Sequence, residues 1–415
     1  MRMKVRALIG LLFPVLLGFL ASCGKSTSSV GSGTGFLFVT TDANLVSPFT
    51  ISLGSGVITA NGKGVTTGNL PFVPTALVLA PSGNALFVAN SNPGNSTVPP
   101  AAGNITSYTV KADGTLTAVS GSQPLGINPS DMAMDPAGHF LFVANQGVQS
   151  AASGTISVFS VQDTTLTQMF QTPTGTALAA AGPVAVAVTP DAKFLYVANQ
   201  FDATVTEYKV DQNSGALTPV GAPYAVRTAP SALAIVLFPD TKNPTGEFLY
   251  VANTGSSNVS AFAICDQATA SCNSSNVNNP DGTLTEVPAS GSLPGSPFPA
   301  GTDPISIAAD PTGTFLYVVD KMSNQVSQYT ISPGTGFLTA LSSPTISTGL
   351  TPVWLAVRAG TSTVTATGGT RNFVYVANIG SASISAYAFD SITGLLGVVG
   401  TPVTTQGRPL AIAVK

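Results

Sequence analysis

The chain has 415 residues, of which only 8% are charged, against about 25% in an average soluble protein. Its formal net charge is −3, and it lacks the clusters of Lys and Arg on which nucleic-acid binding depends. We therefore expect no nucleic-acid partner, and the polar but uncharged composition suits a secreted or surface-exposed β protein.

The N-terminal segment has the pattern of a secretion signal. Arg2, Lys4 and Arg6 give a basic start. An apolar run over 7–20 follows, and the sequence LASC occupies 20–23. This order is typical of secretory signals, and the apolar run is shorter than the roughly 20 residues that span a bilayer. We predict that residues 1–22 form a signal peptide.

The sequence LASC also resembles the lipobox of bacterial lipoproteins, in which the cysteine is lipidated and becomes the mature N-terminus. The resemblance implies that Cys23 carries a lipid and that residues 23–35 form a flexible tether. It also implies a location in the cell envelope, anchored to a membrane and facing the periplasm or the cell surface. The alternative is an ordinary secretory peptide in which Cys23 is incidental.

The other two cysteines, Cys265 and Cys272, lie in the short segment CDQATASC. The oxidising conditions of an envelope favour a local disulfide between them. Two cysteines without a nearby histidine provide too few ligands for a structural zinc ion. We predict the disulfide, and we expect neither a metal nor a cofactor.

Two phrases recur along the chain. The first is FLYVAN or a close variant, and its seven copies begin at Phe36, Ala85, Phe140, Phe194, Phe248, Phe315 and Phe373. The second is a proline followed by small and aliphatic residues, and its seven copies begin at Pro74, Pro129, Pro183, Pro230, Pro304, Pro352 and Pro409. Turn sequences such as Asp135-Pro136-Ala137-Gly138 join the second phrase to the first, as a tight reversal requires.

Two further strands complete each repeat, for example 204–210, which alternates at period two, and 215–220 after a turn that contains glycine. Four short strands in roughly 55 residues, without helical periodicity, are typical of one propeller blade. The first phrase at Phe36 has no proline phrase before it, and the proline phrase at 409–414 has no FLYVAN after it. Pairing these two ends would complete the seventh sheet and leave no open edge.

We therefore predict an all-β fold, a seven-bladed β-propeller over residues 36–415 that is closed by pairing of the N- and C-terminal strands, and we expect a monomer. The repeat P-x-A-[IVL]-A-V-x-P-D-x-x-F-L-Y-V-A-N resembles that of the lactonase-type propellers, which include 6-phosphogluconolactonase-like proteins and the related YVTN-repeat propellers. The resemblance covers essentially the whole chain after the tether. If the chain is an enzyme, the resemblance implies a lactonase-type carboxylic-ester hydrolase. Most of the repeated residues are packing and turn residues, which say little about activity.

Propeller ligands generally bind at a mouth of the central channel, and two sets of residues are expected to face one mouth. The first set ends the second strand of each blade and contains Thr41, Asn90, Asn145, Asn199, Asn253, Asp320 and Asn378. These residues either form a ring of amides for a sugar or each close their own turn by side-chain hydrogen bonds. Their presence in nearly every blade favours the turn, except for Asp320, which is kept as a candidate ligand contact.

The second set occupies the third position of the innermost strands, where the blades converge: Ala76, Asp131, Ala185, Ala232, Ser306, Trp354 and Ala411. Asp131 and Trp354 are not small, and they are expected to face each other across the channel. Arg227, Asp303 and Arg408 lie just before other innermost strands. An aromatic platform with carboxylates and guanidinium groups predicts a site for a small polar ligand. The alternative is a tryptophan that plugs the channel and an aspartate paired with a neighbouring arginine.

The sequence provides few candidates for catalysis. The lactonases that the repeat resembles tend to carry Pro-Cys-His at the start of an innermost strand and Asn-Tyr after a second strand, and neither occurs at the matching positions here. His139 is the only histidine, so a Ser-His relay has no second candidate. Its turn is expected to face the opposite mouth or solvent. Asp131 or Asp303 remains a candidate general base, since burial can raise the pKa of a carboxyl group.

Scarce charge and the missing histidines favour a non-catalytic binding module that presents its channel mouth to a glycan, a small molecule or another envelope protein. The alternative is a lactonase-type hydrolase that opens a non-phosphorylated lactone outside the cytoplasm. A second alternative is a structural component of the cell surface.

Overall fold

The computed structural model describes residues 34–68, 72–94, 99–148, 154–173, 181–238, 247–265, 281–289, 294–361 and 367–415. The predicted signal peptide and Cys23 lie outside these ranges. The described residues form β-strands, turns and loops, with one short 3-10 turn at Thr254–Ser256. A search of this part of the chain finds no helix long and apolar enough to cross a membrane.

The strands form seven separate antiparallel sheets, each of four or five strands. Blade 1 contains β1 (Thr34–Thr41), β2 (Leu45–Ser52), β3 (Ile58–Ala60) and β4 (Val65–Thr66). Blade 2 contains β5 (Val73–Leu79), β6 (Ala85–Asn92), β7 (Ala101–Val110), β8 (Leu116–Ala118) and β9 (Gln123–Ile127). Blade 3 contains β10 (Pro129–Met134), β11 (Phe140–Asn145), β12 (Thr155–Gln162) and β13 (Thr165–Pro173). Blade 4 contains β14 (Pro183–Val188), β15 (Phe194–Asn199), β16 (Thr204–Val210) and β17 (Leu217–Ala225).

The remaining blades repeat the same order from the innermost strand outward. Blade 5 contains β18 (Pro230–Leu237), β19 (Glu247–Asn253), β20 (Asn258–Ile264), β21 (Leu284–Glu286) and β22 (Phe298–Pro299). Blade 6 contains β23 (Pro304–Ala309), β24 (Phe315–Asp320), β25 (Gln325–Ile331) and β26 (Leu338–Ser347). Blade 7 contains β27 (Pro352–Arg358), β28 (Arg371–Asn378), β29 (Ser383–Asp390), β30 (Gly397–Val398) and β31 (Val403–Thr404). The predicted all-β, seven-bladed propeller is confirmed.

The last strand, β32 (Pro409–Val414), returns to blade 1 and becomes its innermost strand. It pairs antiparallel with β1, from Leu37 opposite Val414 to Thr41 opposite Pro409. The predicted closure by the two ends of the chain is therefore confirmed. The strand β1 begins at Thr34, two residues before the repeat was expected to start.

The FLYVAN phrase packs the blades against each other because its side chains alternate between the two faces of the sheet. In blade 4 the aromatic residues Phe194 and Tyr196 pack against Leu249 and Val251 of blade 5. In blade 3 Phe140 and Phe142 pack in the same way against Leu195 and Val197 of blade 4. Each second strand thus presents aromatic residues to one neighbour and aliphatic residues to the other, which explains its unbroken apolar sequence.

Candidate functional site

The innermost strands surround a cavity of about 490 Å³ on the axis of the propeller. We call the face where these strands begin the start mouth, and the face that carries the turns at Pro136, Pro190 and Pro311 the turn mouth. The cavity lining extends from the second residue of the innermost strands to these turns. The cavity therefore spans most of the channel and reaches the turn mouth, whereas the sequence led us to expect a ligand at the start mouth.

Trp354, at the third position of β27 in blade 7, lies in this channel and is partly buried. It packs against three groups of core residues, which are built by blades 7 and 1, blades 1 and 2, and blades 2 and 3. An indole on blade 7 reaches all three groups only by extending from its own blade across the channel. Trp354 thus lies in the channel, in the part of the cavity nearer the start mouth.

Asp131, at the third position of β10 in blade 3, is the second large residue of its set and also lines the cavity. The backbone N–H of Val186, on the neighbouring blade 4, donates a hydrogen bond to Asp131 Oδ2 at 3.0 Å. Burial raises the pKa of Asp131 to about 7, against the lowering effect of hydrogen bonds from the N–H groups of Val186 and Met132. Both protonation states are therefore populated near neutral pH, which suits a general base.

The contact between Asp131 and Val186 repeats elsewhere in the ring. In blade 6 the same position holds Ser306, and Leu355 of blade 7 donates its N–H to Ser306 Oγ at 3.2 Å. Both N–H groups belong to the fourth residue of an innermost strand and point to the neighbouring blade instead of the second strand. A polar third residue therefore accepts a hydrogen bond from the next blade, because the innermost strand is an edge strand with unpaired backbone groups.

The other predicted ligand residues do not line the cavity. Arg408 pairs with Asp42 at 2.6 Å, Arg227 pairs with Glu286 at 3.0 Å, and Asp303 lies 3.9 Å from Lys321. These three residues precede innermost strands, and their side chains turn to neighbouring strands and loops. The structure thus brings together only Asp131 and Trp354, and the described residues provide no arginine partner for Asp131. The roles of Asp131 and Trp354 in ligand binding stay predictions.

Asp320 and the asparagines that end the second strands are completely buried. Asn199, Asn253 and Asn378 each donate from Nδ2 to a hydroxyl on the third strand of their own blade, at 2.8, 3.0 and 3.0 Å. Asp320 accepts the equivalent bond from Ser327 at 2.6 Å, and burial raises its pKa to about 6 against the lowering effect of bonds from Ser327, Gln325 and Gly301. These residues therefore join strands within a blade and have no contact with the cavity.

His139 lies on the turn mouth, as expected from its turn, and its side chain is exposed. It lines a groove of about 370 Å³ together with Asp191 and Gln212. The groove and the channel share Asp135, Pro136 and Pro190. Sequence reasoning set this mouth aside because it expected the ligand at the other one.

Cys265 is buried and takes part in a disulfide. Cys272 lies outside the described residues, so the pairing between the two stays a prediction. Over the described ranges, no group of three or more His, Cys, Asp or Glu side chains is placed to hold a metal ion.

The closed ring of seven antiparallel sheets, each of four or five strands, defines the protein as a seven-bladed β-propeller. Comparison with known proteins extends this: the family model "Lactonase, 7-bladed beta-propeller" matches residues 56–152 and 148–280, more than half of the chain. The chain belongs to this family.

Two curated relatives are 6-phosphogluconolactonases, from Pectobacterium carotovorum subsp. carotovorum and Pectobacterium atrosepticum, at 28% and 29% identity over 191 residues. Each match covers 44% of this chain and 48% of the relative, so the chain matches about half the length of these relatives. Among solved structures, the periplasmic gluconolactonase PpgL of Pseudomonas aeruginosa superposes with a TM-score of 0.67 at 21% identity, covering 92% of this chain and 99% of its own. A protein from Lactobacillus plantarum superposes with a TM-score of 0.66 at 19% identity, over 92% and 99% of the two chains.

These comparisons correct the function expected from the sequence. The non-catalytic binding module is wrong as the leading interpretation, and so is the structural component, because the family model and the relatives favour the lactonase alternative. The chain has one histidine and few charged residues, but a lactonase does not require more of either. A single carboxyl group with a pKa near 7, such as that of Asp131, can serve as a general base without a histidine.

Proposed function

We propose that the protein is a lactonase-type hydrolase that opens a lactone ring in its central channel, with Asp131 as the general base. The observation that carries the proposal is the position of Asp131, whose carboxyl group lines the cavity with a pKa raised to about 7 by burial. Membership of the lactonase propeller family supports the same reaction class.

In the proposed reaction, the Asp131 carboxylate takes a proton from a water molecule as the water oxygen attacks the lactone carbonyl carbon. The carbonyl oxygen becomes an oxyanion, which hydrogen-bond donors must stabilise. The tetrahedral intermediate then collapses, the bond from the carbonyl carbon to the ring oxygen breaks, and the ring oxygen receives the proton held by Asp131. The product is a hydroxy acid, and Asp131 returns to its ionised form.

Backbone N–H groups of the innermost strands are suitable donors to the oxyanion. Val186 and Leu355 direct theirs to the third residue of the preceding blade. The equivalent residue of blade 5 is Leu233, and the preceding blade there offers Ala185, whose side chain has no acceptor. The N–H of Leu233 is therefore one candidate for contact with the oxyanion.

The test is hydrolysis of sugar, aryl and acyl lactones by the purified protein, followed by titration of the acid released. We expect turnover that increases as the pH rises through about 7, because only ionised Asp131 accepts a proton. Asp131→Asn should lower kcat by about 10²- to 10⁴-fold. Asp303→Asn should not, since Asp303 lies beside Lys321 outside the cavity. Undiminished turnover in Asp131→Asn would remove Asp131 from the mechanism, and no turnover on any lactone would reject the function.

We also propose that the protein is held in the cell envelope by a lipid on Cys23. The proposal rests on the basic start, the apolar run and LASC at 20–23, and the structural neighbour PpgL is itself described as periplasmic. Growth of expressing cells with radiolabelled palmitate should label the wild-type protein and leave Cys23→Ser unlabelled. Equal labelling of both proteins would reject the anchor.

A further inference from the structure

The cavity wall between Trp354 and the turn mouth includes the sixth residue of each proline phrase: Leu79, Met134, Val188, Ile235, Ala309, Val357 and Val414. All seven are aliphatic or thioether side chains. Apart from Val357 they are only partly buried, as expected for side chains that face an open cavity. The indole of Trp354 adds an aromatic surface at the far end. A ligand in this part of the channel therefore contacts mostly apolar atoms.

The charged groups of the cavity are all acidic among the residues that the structure describes. Asp131, Asp135 and Asp310 line it, and no described Lys or Arg does. Asp135 and Asp310 are 3% and 2% exposed and accept hydrogen bonds within their own turns, as from the N–H of Phe315 to Asp310 at 2.8 Å. A phosphate group placed here would lose its water without gaining the cationic partners that phosphate sites use.

The size of the cavity, about 490 Å³, lies in the range of roughly 300–1,000 Å³ that is usual for small-molecule sites. We propose, building on the function proposed above, that the substrates are uncharged lactones that carry an alkyl or aryl substituent. Such a molecule enters through the turn mouth with its carbonyl group toward Asp131, and its substituent lies along the wall of sixth residues. Phosphorylated sugar lactones are excluded because the charged groups that line the cavity among the described residues are carboxyl groups, with no Lys or Arg to pair with a phosphate.

Binding can be measured without turnover because Trp354 is the only tryptophan in the chain. Its emission therefore reports on the channel alone. In Asp131→Asn, δ-decalactone should change the emission saturably, with a dissociation constant at least tenfold lower than that of 6-phosphogluconolactone. Equal or tighter binding of the phosphorylated lactone, or no saturable change with δ-decalactone, would overturn the inference.

A matched pair of variants tests the wall itself. Ala309→Met and Ala309→Lys add side chains of similar length at one wall position, and only the lysine adds charge. We expect Ala309→Lys to raise KM for δ-decalactone at least tenfold above that of Ala309→Met. Equal KM values in the two variants would show that binding of the lactone does not depend on an apolar wall and would overturn the inference.

The outcomes separate this inference from the proposed function. A wild-type protein that binds δ-decalactone but hydrolyses no lactone would reject the hydrolase and leave the apolar preference in place. A wild-type protein that hydrolyses 6-phosphogluconolactone in preference to alkyl and aryl lactones would support the hydrolase and reject the substrate class.

Discussion

Glu207 and Asp131 are carboxyl groups that folding removes from water in different parts of a blade. Glu207 on β16 is 1% exposed, and neither of its carboxyl oxygens has a hydrogen-bond partner among the described residues. Burial, with a further contribution from the charge of Asp281, raises its pKa to about 8, and burial raises that of Asp131 to about 7. Only Asp131 lines the channel, so the same physical effect gives a candidate base there and a cost in stability at Glu207.

Glu207 should make the protein less stable as the pH rises. Its pKa is about 8 in the folded protein and 4.5 in the reference state, so between these values the unfolded chain releases a proton that the folded chain keeps. The contribution of Glu207 to the free energy of unfolding is then highest below pH 4.5 and falls until the pH exceeds about 8, by at most about 1.4 kcal/mol per pH unit. Glu207→Gln should remove this slope and be more stable than wild type at pH 8 by urea denaturation.

Asp131 contributes a slope of the same sign between its reference value of 3.8 and about 7, and this slope remains in Glu207→Gln. The control is Asp202→Asn, which changes an exposed carboxyl group and should leave the pH dependence as in wild type. Identical slopes for wild type and Glu207→Gln would mean that Glu207 is hydrated or paired in solution.

At the scale of elements, a contact between consecutive blades explains why the repeat has an aromatic residue in the second strand and a glycine in the turn after the third strand. The phenylalanine that begins a second strand packs under a glycine in the turn after the third strand of the next blade, as Phe248 does under Gly336. Tyr250, two residues later, donates its hydroxyl to the carbonyl oxygen of that glycine at 2.8 Å. The contact between phenylalanine and glycine occurs in six blades, with Phe36, Phe140, Phe194, Phe248, Phe315 and Phe373 under Gly114, Gly215, Gly282, Gly336, Gly394 and Gly56. The tyrosine hydrogen bond accompanies it in four of them, from Tyr196, Tyr250, Tyr317 and Tyr375.

Blade 2 lacks the phenylalanine, and the turn that would lie over it lacks the glycine. Ala85 stands where the other blades have phenylalanine, and the corresponding turn of blade 3 has Asp163, with φ of 54°, in place of glycine. Without the aromatic ring below, the turn can carry a side chain. The need for glycine therefore comes from the neighbouring blade as well as from the left-handed backbone.

Substitution of two glycines in one turn can distinguish the effect of the left-handed backbone from that of the neighbouring phenylalanine. Gly336, with φ of 68°, would place a β-carbon in overlap with the ring of Phe248, whereas Gly334, with φ of 77°, has open space around the same atom. Gly334→Ala should cost about 1–2 kcal/mol from the left-handed backbone alone. Gly336→Ala should cost a further 1–3 kcal/mol or so from overpacking. Thermal unfolding of both variants measures the difference, and equal losses would contradict a role for the phenylalanine.

At the scale of the whole molecule, the repeat was sufficient to predict seven blades and their closure. Each FLYVAN phrase contains the apolar residues that pack its blade against the neighbouring blades. The unmatched phrases at Phe36 and Pro409 predict that the first and last strands pair. The position of the cavity was not predictable in this way. Arg227 and Arg408 looked like channel residues from their place in the repeat, but their partners Glu286 and Asp42 lie in segments that the repeat does not constrain.

The contacts of Trp354 across the channel were likewise not predictable from the repeat. Its position in the repeat predicted that it faces the channel, but its contacts with core residues of blades 1, 2 and 3 depend on the closed ring. The aliphatic wall was present in the sequence as the sixth residue of each proline phrase. The sequence did not identify this wall because the same residues are also typical of a packed core. Only the structure shows which of them border a cavity.

Closure of the ring should be essential to the fold, because β32 is joined to the rest of blade 1 only through its pairing with β1. Removal of residues 409–415 would expose the edge of β1, and it would take Ile412 out of the core that blades 7 and 1 share with Trp354. The lost ladder and buried side chains amount to about 5 kcal/mol or more, a large fraction of the stability of a domain. The truncated protein should associate through the free edge and lose its single cooperative thermal transition. Size-exclusion chromatography and calorimetry against the full chain test this, and a monomeric truncated protein with an unchanged Tm would show that the ring is stable without its closing strand.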